Sequence, residues 1–308
     1  GRQRHKRIKF IPLYSRPPGL SYLSFKSNEQ SNMLSLNCNG RLFASEDPVV
    51  MGIINVTPDS FYSGSRREGI DAVLRQAEKM LGEGARILDI GGQSTRPGSE
   101  RLSAEQELIR VAEPIRAIQD RFPEVFISID TYHARVAREA VAAGAAIVND
   151  ISGGSGDPDM IKTVAELGVP YVLMHMKGTP ANMHQIPPYE DVTRELLDFF
   201  IAKKNELAQA GIRDLIIDPG FGFGKTAANN FELLRNLRAF EISGTPLLLG
   251  ISRKSFIYKT LGITPEQALN GTTVLHTVGL LGGASVLRVH DVREAVECIR
   301  LCRALAKP

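Results

Sequence analysis

An abrupt change from apolar to polar residues marks the first stretch of the chain that could do chemistry. Residues 49–54 are continuously apolar, and Asn55 opens the polar stretch 55–64. Continuous apolar runs of this length are typical of buried strands, and functional side chains concentrate on the loops that follow them. Pro58 cannot continue a central strand and restricts Thr57 before it, so the chain must leave the sheet here. An amide, a hydroxyl and a carboxylate, those of Asn55, Thr57 and Asp59, therefore arrive together on one loop.

The same order of apolar run, polar loop and amphipathic helix occurs eight times along the chain. The strands are predicted at residues 49–54, 86–90, 125–129, 146–148, 170–174, 215–217, 246–249 and 285–289. The helices are predicted at residues 70–83, 104–119, 133–143, 159–167, 191–210, 230–237, 265–281 and 292–305. Strands that alternate with helices form a parallel sheet, and eight units match a closed barrel of about 250 residues. We therefore predict an α/β fold, a (β/α)8 TIM barrel.

Two features precede the barrel. Asn39 and Gly40 separate two short alternating runs within residues 34–44, which predicts a β-hairpin that could plug one end of the barrel. Residues 1–32 carry seven Lys or Arg against one Glu, a basic composition that favours disorder. We therefore predict a basic, disordered extension over residues 1–32 and a single barrel domain over residues 33–308.

Composition excludes several classes of partner. The net charge of the whole chain is +3, and residues 1–32 contribute +6 of it, so the barrel itself is net acidic at −3 and predicts no nucleic-acid partner. No run approaches 18 apolar residues, so no membrane span is expected. Three cysteines are too few for a disulfide framework, which favours a reducing compartment, and we expect a cytoplasmic protein.

Polar residues end each of the eight predicted strands. They are Asn55, Asp89, Asp130, Asn149 with Asp150, His175, Asp218, Ser252 with Arg253 and Lys254, and Arg288 with His290. Turns and helix caps would account for some of the Asp and Asn residues. In a barrel, however, all carboxyl ends of the strands meet at one mouth, where the active sites of such proteins lie. The pattern therefore predicts one polar site at that mouth.

Other signals are weaker. Residues 220–226, GFGFGKT, suggest a phosphate-binding loop, but that motif requires glycine where the chain has Pro219. The histidines lack the spacing of a zinc hydrolase. His175 is left open as either a ligand contact or a residue of the wall.

In chain order, the motifs at the strand ends resemble those of the dihydropteroate synthases. They are NVTPDSF (residues 55–61), DIGGQSTRPGS (89–99), SID (128–130), VNDISGG (148–154), DPGFGFGK (218–225), SRKS (252–255) and RVHDV (288–292). The resemblance runs from about residue 34 to the end of the chain. It implies a transferase of folate biosynthesis, which condenses 6-hydroxymethyl-7,8-dihydropterin diphosphate with 4-aminobenzoate to give 7,8-dihydropteroate and diphosphate.

The resemblance also implies roles for individual residues. Catalysis would involve Lys254, Asp89, Arg96 and Arg288. The pterin would be bound by Asp130, Asn149, Ile151, Met174, Asp218, Phe223, Lys254 and Arg288. The diphosphate would be bound by Asn55, Arg96, Arg288 and His290, with Mg²⁺ held by Asn55. The 4-aminobenzoate would be bound by Phe61, Thr95, Pro97 and Ser252. A homodimer formed through the later helices is also implied.

The residue types suit these roles. A pterin edge presents N–H groups beside a carbonyl, which carboxylates, an amide and a cation can recognise. Because a buried carboxylate is costly unless it is paired, we expect Asp130 and Asp218 to take their donors from the ligand or from Lys254.

Two positions depart from the family's pattern. Ser63 stands where an acidic residue often occurs, and Gln93 stands where Glu often precedes the STRPG sequence. The first departure keeps a non-catalytic pterin-binding homologue open. A pterin-binding methyltransferase, which would use methyltetrahydrofolate and a corrinoid partner, is the other alternative, although it would not be expected to carry the NVTPDSF and STRPG loops. Diphosphate release from the two substrates with Mg²⁺ distinguishes all three.

Overall fold

The computed structural model describes residues 34–56, 66–93, 101–178 and 189–306. The first elements are β1 (Leu34–Cys38) and β2 (Arg41–Ser45), which pair antiparallel. Asn39 and Gly40 between them have φ angles of 53° and 81°, the left-handed conformations that a two-residue turn of this kind requires. The predicted hairpin is confirmed, whereas the prediction for residues 1–32 lies outside the described ranges.

Eight parallel strands form a nearly closed barrel. They are β3 (Val49–Asn55), β4 (Ile87–Gly91), β5 (Phe126–Asp130), β6 (Ile147–Asp150), β7 (Tyr171–Met174), β8 (Leu215–Asp218), β9 (Leu248–Leu249) and β10 (Val286–Val289). Neighbours follow chain order from β3 to β8, and β10 lies between β3 and β9. A bridge between Ile217 and Leu247 brings the ends of the sheet together. The predicted (β/α)8 barrel is confirmed.

Helices cover the outer face of the barrel. They are α1 (Arg66–Glu83), α2 (Ala104–Arg121), α3 (Ala134–Ala142), α4 (Met160–Leu167), α5 (Val192–Gln209), α6 (Ala227–Arg235), α7 (Ser255–Leu261), α8 (Leu269–Leu281) and α9 (Val292–Ala306). Their apolar faces and the outward side chains of the strands share one buried core. Within the described ranges, no helix is long and apolar enough to cross a membrane.

Several helices differ from the prediction. The predicted helix 70–83 begins at Arg66, and the predicted helix 265–281 begins at Leu269. The predicted helix 230–237 begins at Ala227, because the side chains of Thr226 and Asn229 form a capping box, and a 3₁₀ helix (Leu237–Ser243) follows it. Helix α7 was not predicted. It ends at Gly262, which has a φ of 66° and stops the helix before α8 begins.

Apolar side chains fill the amino end of the barrel. The hairpin contributes Leu34, Leu36, Cys38 and Phe43 to this cluster. The barrel strands contribute Val49, Met51, Ile87, Ala146, Ile147, Val172, Ile216, Leu248 and Val286. The hairpin therefore closes the amino end, as predicted, and the buried polar side chains inside the barrel lie towards its carboxyl end.

Candidate active site

The guanidinium of Arg288 lies at the centre of the carboxyl-end mouth. Its Nε donates a hydrogen bond to Oδ2 of Asp89 at 2.6 Å, and its Nη2 donates to Oδ2 of Asp130 at 2.6 Å. The amide nitrogen of Asn149 donates to the same oxygen of Asp89 at 3.0 Å. These four predicted site residues stand on β10, β4, β5 and β6, so closure of the barrel brings them into one hydrogen-bonded group. Asp89 is the third residue of β4 and is fully buried, so it lies deeper than a strand end.

The predicted source of donors is wrong for Asp130 and incomplete for Asp218. Asp130 is paired with Arg288, and Asp218 accepts a hydrogen bond from the N–H of Gly220 at 2.7 Å. Asp130 therefore does not depend on a ligand or on Lys254 for its donor, whereas Asp218 has one donor from the main chain and the charge of Lys254 nearby. The physical reason is that a neighbouring strand supplies the guanidinium, while the turn after β8 folds back over Asp218, with a φ of 65° at Gly220.

Burial is the largest single influence on the pKa values of Asp130, Asp218 and Arg288. Burial raises the pKa of Asp130 to about 7; the guanidinium of Arg288 opposes the rise and the carboxylate of Asp89 adds to it. The pKa of Asp218 is also raised, chiefly by burial. Burial opposes the charge of Arg288, but the carboxylates of Asp89 and Asp130 outweigh it and raise the pKa of the guanidinium. The mouth therefore holds a permanently charged guanidinium between buried acids.

Lys254 lies between β9 and α7, beside Asp218. Its ammonium donates to the carbonyl of Phe221 and lies 4.5 Å from the centroid of the Phe223 ring. Burial lowers the pKa of Lys254 to about 8, although the nearby carboxylate of Asp218 opposes this. An ammonium carries three protons, so Lys254 can donate to a ligand while it keeps its contact with Phe221.

An apolar cluster lies at the same mouth. It contains the predicted residues Ile151 and Met174 together with Tyr132, and the predicted Phe223 and Met176 pack against it. Tyr132 and Met176 were missed by the sequence analysis. Each follows a strand end by two residues, and this spacing is the signal that could have identified them. Together with the acids and the amide, the cluster offers a flat ligand both an apolar face and hydrogen bonds at its edge.

The remaining described site residues line the rim. The Oγ of Ser252 lies 3.1 Å from Nδ1 of His290 and accepts a hydrogen bond from the main-chain N–H of His290 at 3.2 Å. Asn55, which is exposed, is in register with Gly91, and Gly91 is in register with Asp130. Because glycine has no side chain, Gly91 leaves Asn55 and Asp130 adjacent across the rim.

Two polar strand ends do not contribute to the mouth. Arg253 has a φ of 53°, and its guanidinium binds both carboxylate oxygens of Asp291 at 2.8 and 2.9 Å, which ties β9 to β10. The carboxylate of Asp150 accepts hydrogen bonds from Ser152, Gly154 and the Tyr171 hydroxyl. Both side chains are thus used in the scaffold.

Several predicted residues fall outside the described ranges. They are Phe61, Thr95, Arg96 and Pro97, and the departure at Ser63 falls there too. Their roles stay predictions. Gln93 is described, and its side-chain oxygen accepts a hydrogen bond from the N–H of Leu102 at 2.7 Å.

A buried glutamate supports the edge of the site. Glu107 on α2 packs against Gly92, so closely that a Cβ on Gly92 would lie 3.1 Å from the Cγ of Glu107. Burial raises the pKa of Glu107 to about 8, whereas an unfolded glutamate has a pKa of about 4.3. The folded chain therefore keeps a proton that the unfolded chain loses, and stability falls as the pH rises through this window.

We expect Glu107→Gln to abolish that loss of stability. As the pH rises from 5 to 8, the free energy of unfolding of the parent should fall by roughly 2–4 kcal/mol relative to that of the variant. Urea unfolding at several pH values measures this difference. Glu105→Gln is the control, because Glu105 is an exposed member of a surface ion pair with Arg135. Parallel stability curves for the parent and Glu107→Gln would contradict the prediction.

Comparison with known proteins agrees with this geometry. A family model described as "Pterin binding enzyme" matches residues 51–290. The dihydropteroate synthase of Escherichia coli (strain K12) is 42% identical over 273 residues, which cover 88% of this chain and 96% of that protein. A Xanthomonas albilineans dihydropteroate synthase, solved with 4-aminobenzoic acid, has a TM-score of 0.83 at 40% identity and covers 90% of this chain and 100% of its own. The X. albilineans synthase in complex with 7,8-dihydropteroate has a TM-score of 0.80 at 38% identity, with 89% and 100% covered. This chain therefore belongs to the pterin-binding enzyme family and, within it, to the dihydropteroate synthases.

Proposed function

We propose that this protein catalyses the dihydropteroate synthase reaction of folate biosynthesis. It would join 6-hydroxymethyl-7,8-dihydropterin diphosphate to 4-aminobenzoate and release diphosphate. The observation that carries the proposal is the convergence of three buried acids, an amide and two cations beside one apolar wall. The ligands named for the X. albilineans relatives, 4-aminobenzoic acid and 7,8-dihydropteroate, are the second substrate and the product of this reaction.

The pterin ring would lie on the apolar wall formed by Ile151, Met174 and Phe223. Its exocyclic amine and ring N–H would donate to Asp130 and Asp218, since an ionised carboxylate accepts several hydrogen bonds. The amide of Asn149 would complete this edge. Lys254 would donate to the pterin carbonyl and ring nitrogen, and the plane of Arg288 would stack on the ring.

The diphosphate would lie on the rim side of Arg288, towards Asn55 and His290. Negative charge develops on the leaving group as the bond to the pterin methylene breaks, and cationic and N–H donors placed there lower the barrier. Arg288 and His290, with Arg96 from the second loop, would supply these donors. The 4-aminobenzoate would then bind between Ser252 and the three loop residues Phe61, Thr95 and Pro97.

Bond breaking would come first. Loss of diphosphate would leave a pterin methylene cation delocalised into the ring. The weakly nucleophilic aniline nitrogen would then form the new C–N bond and lose one proton to solvent or to the departing diphosphate. Asp89, whose Oδ1 is buried and has no hydrogen-bond partner among the described residues, would favour that positive charge electrostatically. No covalent bond to the enzyme is required. Exclusion of water would protect the cation until the amine attacks.

The site also fits Mg²⁺ held mainly by the substrate. No group of three or more His, Cys, Asp or Glu residues in the described ranges could hold a metal by itself. Mg²⁺ commonly takes only one or two oxygens from the protein and the rest from phosphates and water. The exposed amide oxygen of Asn55 provides such a ligand. Bound there, the ion would neutralise charge on the departing diphosphate.

We expect turnover to require Mg²⁺ and to depend on Asn55. Removing divalent ions with a chelator should abolish diphosphate release, and Asn55→Ala should raise the Mg²⁺ concentration that gives half the maximal rate. A Mg²⁺ titration of the parent and the variant measures both effects. Asn37→Ala is the control, because Asn37 lies in the hairpin at the opposite end of the barrel. An identical Mg²⁺ response in the parent and Asn55→Ala would remove Asn55 as a ligand.

The decisive experiment is diphosphate release on mixing the two substrates with Mg²⁺. If the proposal is right, diphosphate is released with both substrates present and dihydropteroate forms in equal amount. A methyltransferase would release none. A non-catalytic homologue would bind the dihydropterin diphosphate without turnover, and either result would overturn the proposal.

We propose further that the protein is a homodimer joined through α8 and α9. Val274 and Val278 on α8 and Leu301 and Leu305 on α9 are 41% to 67% exposed, and exposed aliphatic patches often mark interfaces. Light scattering should give twice the mass of one chain.

The three thiols, Cys38, Cys298 and Cys302, are free and suit a reducing compartment. We therefore also propose a cytoplasmic location, which cell fractionation tests.

A further inference from the structure

A half-buried lysine that the proposed reaction does not use lies behind the pterin wall. The Nζ of Lys225 donates to three main-chain carbonyls, those of His175 at 3.1 Å, Gly220 at 3.0 Å and Phe223 at 3.1 Å. It also lies 3.3 Å from Nδ1 of His175. Among the described residues no carboxylate forms a salt bridge with Lys225, although the carboxylate of Asp218 is near enough to oppose the lowering of its pKa by burial. The ammonium is therefore held in place by main-chain carbonyls.

The three carbonyls come from two separate parts of the barrel mouth. His175 follows β7, whereas Gly220 and Phe223 belong to the turn of residues 218–225 that follows β8. The turn comes so close to β7 that a Cβ on Gly220 would overlap the carbonyl oxygen of His175. Carbonyl oxygens carry partial negative charge and repel one another when they lie close together. A cation placed among them attracts each of them. Lys225 therefore joins the turn to the end of β7.

The ring of His175 is compatible with this arrangement. Burial, together with the charge of Lys225, lowers the pKa of His175 to about 3, so the imidazole is neutral and Nδ1 can accept a hydrogen bond. His175 thus contacts Lys225 through both its ring and its main-chain carbonyl. The aromatic ring of Tyr189, 5.9 Å from the Nζ of Lys225, closes another side.

The same turn holds the residues that would bind the pterin. The carbonyl of Phe221 accepts the hydrogen bond of Lys254, and the ring of Phe223 lies 4.5 Å below the same ammonium. Gly222 packs on the stem of Lys254, where a Cβ would lie 3.1 Å from Cδ. The N–H of Gly220 donates to Asp218. A shift of this turn would therefore move Lys254, Phe223 and Asp218 together.

We propose that Lys225 is a positioning residue for the reaction. Its ammonium binds these carbonyls and so fixes the turn that holds Lys254 and Phe223. The inference rests on the proposed function, because it assigns the turn to the pterin substrate. Without the ammonium, the carbonyls of His175 and Phe223 lose the donor that Lys225 gives them, and the carbonyl of Gly220 keeps only the N–H of Phe223. The turn would relax, and a misplacement of about 1 Å can cost about 10²-fold in rate.

Lys225→Met tests this role, because methionine keeps the length of the side chain and removes its donors. We expect kcat/KM for the dihydropterin diphosphate to fall by about 10²-fold, through a higher KM and a lower kcat, while the KM for 4-aminobenzoate stays that of the parent. Lys204→Met is the control, because Lys204 also donates to a carbonyl, that of Ser243, but on the surface. A variant that is merely less well folded would lose active molecules and keep both KM values, and that result would overturn the proposal.

Two further measurements separate this inference from its premises. If Lys225→Met does not fold by circular dichroism, Lys225→Arg decides: a raised KM for the dihydropterin diphosphate alone supports the role, and parental constants overturn it. If the parent itself shows no turnover, the proposed function fails. Calorimetric binding of the dihydropterin diphosphate then still tests Lys225, and equal affinity in the parent and Lys225→Met overturns the inference.

Discussion

Replacing Lys254 by alanine is expected to lower kcat/KM for the dihydropterin diphosphate by about 10²–10³-fold, the usual loss when one well-placed donor to the reacting ligand is removed. Lys254 is half-buried at the mouth, and its one hydrogen-bond acceptor among the described residues is the carbonyl of Phe221. Its other protons are directed to the substrate in our proposal. The free energy of unfolding should change by only about 1 kcal/mol, since one hydrogen bond is lost.

The protonation of Lys254 gives a second readout. Because its pKa lies near 8, the parent should lose kcat/KM as the pH rises through about 8 and the ammonium becomes a neutral amine. Lys254→Arg keeps its charge in that range, so its residual activity should lack this alkaline decline. Lys259→Ala, an exposed position on the next helical turn, is the control. Turnover of Lys254→Ala within tenfold of the parent would contradict the assignment of Lys254 to the pterin.

Replacing Arg288 by methionine is expected to abolish turnover and to lower the free energy of unfolding by about 3–5 kcal/mol, the usual effect of removing one partner of a buried ion pair. Arg288 neutralises Asp89 and Asp130 at once, and both acids are buried. Without the guanidinium, two carboxylates share one water-poor space. Chemical denaturation of the parent and the variant measures the loss of stability.

The pH dependence of that loss identifies its cause. In the folded parent, burial already raises the pKa of Asp130 to about 7, and in Arg288→Met it should rise further, because the guanidinium that opposes the rise is gone. Near pH 7 the folded variant then binds more protons than the folded parent, so its free energy of unfolding rises more steeply than that of the parent as the pH falls from 7 to 5. Arg303→Met is the matched control, because Arg303 pairs with Asp47 at the surface, where such a pair contributes less than about 1 kcal/mol. A deficit of equal size at pH 5 and pH 7 would exclude repulsion between the two carboxylates.

The local sequence was sufficient to predict the strands, most of the helices and the end of the barrel at which the site lies. The Asn39–Gly40 turn was predictable because left-handed backbone at two successive residues is tolerated by few residue types. The strands were predictable because a strand buried on both faces must be continuously apolar. Parallel strands all end on one side of the sheet, so polar residues after them had to share the mouth.

The direction in which a side chain points, and the group with which it pairs, could not be predicted from local sequence. Arg253 and Lys254 are adjacent in sequence, yet Arg253 pairs with Asp291 and Lys254 lies beside Phe223, because a φ of 53° at Arg253 turns the chain between them. A local pattern could not show this, since arginine rarely adopts that conformation. Helix α7 was missed for a related reason: it is short, and Gly262 separates it from the long apolar pattern of α8.

The sequence by itself determined the alternation of strands and helices, the turn of the hairpin and the resemblance of seven motifs to one family, because each of these depends on residues that are neighbours in the chain. Only the tertiary structure decided that Arg288 pairs with Asp89, 199 residues away, that Asp130 needs no ligand for its donor, and that Lys225 binds the carbonyl groups of two loops. The physical reason is that barrel closure brings the first and last strands together. The cost of burying a charge can be judged only when the groups that surround it are known.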